Sequence, residues 1–164
     1  MIRAAIVTVS DSVAEGTRED RSGAVLRERV EALGWHMTAQ EIVPDEIDRI
    51  ASVLTRLADS GQVSLILTTG GTGIAARDVT PEAARTVIER EIQGLGEMMR
   101  AEGRKLTPFA ALSRSMAGVR GRVLIVNLPG SPKGALESLD AIVQLIPHII
   151  DLIEGRTGHG SVPN

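Results

Sequence analysis

The chain has 164 residues and a formal net charge of −3, with 43% hydrophobic and 24% charged residues, enough for one soluble domain with a sizeable aliphatic core. One Phe, one Trp and no Tyr leave almost no aromatic surface for base stacking, and scattered Lys and Arg on a net-negative chain argue against non-specific nucleic-acid binding. With no cysteine, disulfides, thiolate catalysis and sulfur-rich metal sites are excluded; with no apolar run long enough to cross a bilayer, the expectation is a cytoplasmic protein without nucleic acid or membrane as partner.

Ala4–Val9 reads as a first strand ending at Ser10-Asp11-Ser12, followed by a polar surface loop from Val13 to Asp20. A helix is expected from about Ser22 to Leu33, stopped by Gly34, and a second strand from Trp35 to Val43, ended by Pro44. Asp45 is placed to cap the next helix, whose apolar face is Ile47, Ile50, Leu54 and Leu57. Leu65–Thr69 is a short buried strand running into Gly70-Gly71-Thr72-Gly73.

Thr80-Pro81-Glu82 then reads as an N-cap with proline at the first helical position, opening a helix that fades near Gly94. A second amphipathic piece covers Leu95–Arg104. The stretch Lys105–Gly121 carries no clear period, with Leu106–Leu112 either extended or helical. Arg122–Leu128 is the next strand, and Pro129–Gly134 forms a second glycine- and proline-marked loop. A helix using Leu136, Leu139, Ile142, Val143 and Ile146 follows, then a short one from Pro147 through Ile153, and Thr157–Asn164 is expected to be a frayed tail. Strand and helix alternate, which argues for one layered α/β domain over residues 1–155.

The chemistry concentrates at strand ends. Gly71-Thr72-Gly73-Ile74-Ala75-Ala76 meets the loose dinucleotide pattern, but Arg77 to Pro81 intervene before the helix, so a conventional nicotinamide site is disfavoured. A glycine turn cradling another anion fits better. Asp78 can pair with Arg77, cap local N–H groups, or hold a cation; Asp45 can cap its helix or face the same rim. Two carboxylates there suit Mg²⁺ around nucleotide phosphates. Asp11 and Asp20 can add a wall, and Ser10 and Ser12 offer hydroxyls to a phosphate or pterin. Ser113 and Arg114 offer a hydroxyl and a cation. His36, His148 and His159 lack metal-ligand spacing, and neither Ser10 nor Ser12 has a visible His–acid partner.

Taken in order, Val9-Ser10-Asp11, Asp20-Arg21-Ser22-Gly23, Thr69-Gly70-Gly71-Thr72-Gly73, Arg77-Asp78-Val79-Thr80-Pro81-Glu82-Ala83, Gly94-Leu95-Gly96-Glu97-Met98-Met99-Arg100, Ser113-Arg114 and Asn127-Leu128-Pro129-Gly130-Ser131-Pro132-Lys133 resemble the molybdopterin adenylyltransferase family, which includes the bacterial Mog protein and the G domain of plant and animal molybdenum-cofactor proteins. The resemblance implies a three-layer α/β/α domain with a mainly parallel sheet, commonly a homotrimer. It implies transfer of AMP from ATP to the terminal phosphate of molybdopterin with Mg²⁺ present, and handover to a molybdenum-insertion enzyme. The family's two acids fall on Asp45 and Asp78, as catalytic and metal-holding residues. Ser10, Asp11, Gly70, Gly71, Thr72, Gly73, Ser113, Pro129, Gly130 and Ser131 are expected around the substrates. The alternative implied is a molybdopterin-binding or assembly module of the same fold that transfers nothing.

Overall fold

Continuous apolar runs along the central parallel strands, buried on both faces, are the origin of the layering. A computed structural model describes residues 1–156; the expected tail from Thr157 onward lies outside the described residues. Six strands, β1 (Arg3–Val9), β2 (His36–Val43), β3 (Leu65–Thr69), β4 (Arg90–Glu91), β5 (Ala117–Arg120) and β6 (Val123–Leu128), form one sheet in the order β2-β1-β3-β6-β5-β4. The first four in that order are parallel, whereas β5 runs antiparallel to β6 and β4 antiparallel to β5.

Successive side chains of a strand point to opposite faces, so β1 and β3 feed two cores. Ala4, Ile6, Leu65 and Leu67 pack with Leu26 and Val30 of α2 (Arg21–Ala32), Leu95 and Met99 of α5 (Gln93–Arg104), Leu139 and Ile142 of α6 (Pro132–Ile142), and Ile146 and Ile150 of α7 (Ile146–Ile153). Ala5, Val7 and Ile66 pack on the other face against Ile50, Leu54 and Leu57 of α3 (Ile47–Asp59) and Ala83, Ala84 and Val87 of α4 (Thr80–Val87). This is the three-layer α/β/α arrangement with a mostly parallel sheet. No helix among the described residues is long and apolar enough to cross a membrane.

Three local expectations are corrected. The segment after Ser12 is not all loop: Asp11–Ala14 forms a one-turn helix, α1, capped by Ser10. The helix after Pro81 ends at Val87, well before Gly94, because the chain turns extended at Ile88 to pair β4 with β5. The unplaced stretch contains a 3₁₀ turn, Pro108–Leu112, and then β5.

The chain reaches β2 on one side of β1 and β3 on the other. Such a reversal leaves a crevice outside the carboxyl ends of the parallel strands. The loops leaving β1, β2, β3 and β6 all open there.

Candidate functional site

Each loop at that crevice is pinned by its own chemistry. Ser10 Oγ accepts from the Val13 N–H at 3.3 Å. Asp11 and Asp45 brace one another: the Asp11 N–H donates to Asp45 Oδ2 at 2.9 Å, and the Asp45 N–H donates to Asp11 Oδ1 at 3.0 Å. Arg77 adds a two-pronged contact to the Asp11 carboxylate, Nε at 3.0 Å and Nη2 at 2.9 Å. Asp20 accepts from Thr8 Oγ1 at 2.8 Å and caps α2 through the Gly23 N–H at 2.9 Å.

The turn after β3 needs its glycines. Gly70 sits at φ +103°, and a Cβ there would lie 2.2 Å from the Val9 carbonyl oxygen. Gly70 N–H donates to Leu128 O, and Thr69 Oγ1 to Pro129 O, tying this turn to the loop after β6. Ser131 caps α6 by accepting from the Gly134 N–H at 3.1 Å.

These loops enclose a cavity of about 370 Å³ whose wall includes Ser10, Asp45, Gly70, Gly71, Asp78, Gly130 and Ser131. Ser131 is also part of an adjoining apolar slot of about 220 Å³, with Pro129, Ser113 and Phe109. The predicted residues thus divide between two neighbouring spaces that share Ser131. Asp11 braces the wall without lining it, while Thr72 is buried and Gly73 lies behind Asp78. The Ser113 hydroxyl is held locally, donating to Ser115 Oγ at 3.0 Å.

A family model described as a probable molybdopterin binding domain matches residues 5–148. The chain belongs to the MoaB/Mog molybdopterin adenylyltransferase family. Among that family's members, a molybdopterin adenylyltransferase of Helicobacter pylori is 42% identical over 160 residues, covering 94% of this chain and 89% of that protein. The Escherichia coli K12 molybdopterin adenylyltransferase is 36% identical, covering 94% and 86%. The crystal structure of the molybdopterin biosynthesis enzyme MoaB of Thermus thermophilus superposes with a TM-score of 0.89 at 51% identity, covering 94% of this chain and 98% of that one.

Within this member of the MoaB/Mog family, two residues do not cap as their sequence positions suggest. Asp45 is not the cap of α3: Glu46 occupies that position without a side-chain bond, and Asp45 faces the cavity instead. Thr80 is already helical, with Val79 before it, and its buried hydroxyl donates to Gly70 O at 2.8 Å. Asp78 does cap a local N–H, that of Ala75 at 2.9 Å, but Arg77 pairs with Asp11 rather than with it.

Burial pushes the Asp45 carboxyl above its ordinary range, and the neighbouring Asp11 and Asp78 carboxylates add to this against the Asp11 N–H and Arg77. Asp11 is held below its ordinary range by its hydrogen bonds from Arg77 and Asp45. Arg18 and Arg21 also line the cavity, although neither is among the expected substrate-binding residues; the cap pattern Asp20-x-x-Gly23 is the signal in the sequence that places them. Arg114 can, from sequence, either offer a cation or stabilise a turn. Its guanidinium holds Gly73 O, Asp78 O and the Glu82 carboxylate.

Proposed function

We propose that this chain is a molybdopterin adenylyltransferase, transferring AMP from ATP to the terminal phosphate of molybdopterin and releasing pyrophosphate. The observation that carries this reading is the pair of carboxylates, Asp45 and Asp78, set against a glycine turn in a cavity that shares Ser131 with a neighbouring apolar slot. One space suits a triphosphate and the other a flat heterocycle. The attacking phosphate oxygen is already a nucleophile, so the site needs no activated serine or cysteine. Its work is to align two polyanions and offset their charge.

The chain's groups match that work. Backbone N–H groups around Gly71 and Gly130 and the start of α6 offer donors to phosphate without adding countercharge. Ser10 and Ser131 add hydroxyls to the cavity wall. Arg77, acting through Asp11, keeps Asp45 aimed inward. Ser113, Pro129 and Phe109 border the slot for the pterin.

Mg²⁺ fits this donor set as an ion shared with substrate: Asp45 and Asp78 line the cavity beside Glu19 and Asp20, and among the described residues no group of three or more His, Cys, Asp or Glu forms a cage. Held by Asp78 and Asp45, it would supply charge neutralisation on the phosphates. We assign the working assembly as a homotrimer in the cytoplasm that hands its product to a molybdenum-insertion enzyme; a monomer by light scattering at working concentration would overturn that assembly.

Incubation of the purified chain with molybdopterin, ATP and Mg²⁺ should release pyrophosphate and adenylylated pterin. Asp78→Ala and Asp45→Ala should each lower the rate by roughly 100-fold or more. Near-normal turnover in both would remove the two acids from the reaction. The match to a family model described as a probable molybdopterin binding domain supports a second reading, a pterin-binding module without transfer. Pterin binding with no pyrophosphate release would select it.

A further inference from the structure

The hydrogen bonds of Arg114 form a junction in the site. Its backbone N–H donates to Thr72 O at 2.8 Å, its Nε to Gly73 O at 2.7 Å, its Nη2 to Asp78 O at 2.6 Å, and its Nη1 reaches the Glu82 carboxylate. Those four acceptors span both ends of the loop that carries Asp78 and the first turn of α4. The segment holding Arg114 is itself fixed from behind, because Arg100 Nη1 on α5 donates to Ser115 O at 2.7 Å and Ser113 O at 3.3 Å.

The same segment carries Ser113 at the slot, so the slot's wall and the clamp on Asp78 are consecutive residues. Arg114 lines neither the aspartate cavity nor the slot, and three of its five donors are taken by protein.

We propose that Arg114 is a positioning residue: it fixes the Gly73–Asp78 loop so that the Asp78 carboxylate meets the nucleotide's phosphates in register, and it is not an anion ligand. This rests on the transferase reading for its kinetic consequence, though not for its structural one. A planar guanidinium fork meets three divergent acceptors that an ammonium point charge cannot span together. Displacing the carboxylate by about an ångström can cost roughly 100-fold in rate without weakening the binding of the other substrate.

The test compares wild type with Arg114→Lys and Arg114→Ala. In Arg114→Lys, kcat should fall roughly 10- to 100-fold while the KM for molybdopterin changes by less than about twofold. Backbone amide exchange should accelerate at Ala75 and Asp78, with exchange in β1 and β3 unchanged. Millimolar methylguanidine should restore much of the rate of Arg114→Ala by refilling the clamp. A rise in the molybdopterin KM with kcat preserved would overturn the proposal by making Arg114 a ligand. So would unaltered loop exchange in both variants, or a slowing of activity with loss of protection throughout the sheet and no rescue. If wild type forms no adenylylated product, the transferase reading fails, and the exchange comparison still decides whether Arg114 holds the loop.

Discussion

At Gly71 the backbone sits at φ +69°, and a methyl group there would lie 2.2 Å from Thr80 Oγ1 and 3.2 Å from Asp45 Oδ1. Gly71→Ala therefore meets two penalties, the left-handed conformation, about 1–2 kcal/mol, and displacement of a buried hydroxyl bonded to Gly70 O. Gly16, at φ +77° with nothing near its missing side chain, carries only the first. Urea melts should show Gly71→Ala losing clearly more stability than Gly16→Ala, and only Gly71→Ala should lose AMP transfer; equal losses would mean the turn yields freely. Asp45 makes a prediction about pH. Its carboxyl is raised chiefly by burial, so the folded state favours the protonated form. That contribution is fully present below the unfolded value and is lost as pH rises through the folded one. Asp45→Asn keeps an acceptor for the Asp11 N–H and removes the charge. Its stability relative to wild type should rise from acid toward neutral pH while its activity falls. A stability difference that does not vary with pH would show that burial of Asp45 is not costly. Asp11, with the opposite shift, loses its contribution as pH falls through its lowered value, which weakens the Arg77 contact in acid.

Elements with their own periodicity were legible in the sequence, and those defined by a distant partner were not. β1, β3 and β6 announce themselves by apolar runs, and α3 by its spaced Ile and Leu. β5 is four residues including Gly118, where a Cβ would lie 2.7 Å from Ile88 Cδ1 and 2.8 Å from Arg90 O. That glycine reads as a break locally, yet it is what lets β4 and Ile88 approach. The two acids of the site were legible as residue types. Their orientation was not, because the brace between Asp11 and Asp45 joins positions 34 residues apart. Between β3 and β6, Thr68 and Asn127 stand opposite in register, with Asn127 Nδ2 donating to Thr68 Oγ1 at 3.0 Å, while Asn127 Oδ1 is buried without a hydrogen-bond partner among the described residues. Removing one partner of a buried pair costs more than removing both. Thr68→Val should destabilise by roughly 1–3 kcal/mol, and adding Asn127→Val should recover part of that loss in a denaturant double-mutant cycle. Additive losses would show that the pair contributes little to joining the strands.

Across the whole molecule, the cavity belongs to no single loop: it draws on the segments after β1, β2, β3 and β6. A ligand held there stabilises the whole folded chain, by about 2.7 kcal/mol at a concentration 100 times its Kd. For a chain of this size that is a rise in Tm of roughly 5–10 °C. The net charge of −3 gives the molecule no long-range attraction for a triphosphate, so the gain must come from local donors and from the ion between carboxylate and phosphate. ATP with Mg²⁺ should therefore raise Tm in that range, ATP with chelator much less, and Mg²⁺ alone hardly at all, because two carboxylates without phosphate oxygens make an incomplete shell. Asp78→Asn should abolish most of the Mg²⁺-dependent part and leave the unliganded Tm nearly unchanged, since an amide oxygen can still accept from the Ala75 N–H. Calorimetry in which Mg²⁺ alone matched Mg²⁺ with ATP would show a cation site complete within the protein and overturn the shared-ion arrangement. An unchanged ligand shift in Asp78→Asn would move the ion elsewhere in the cleft.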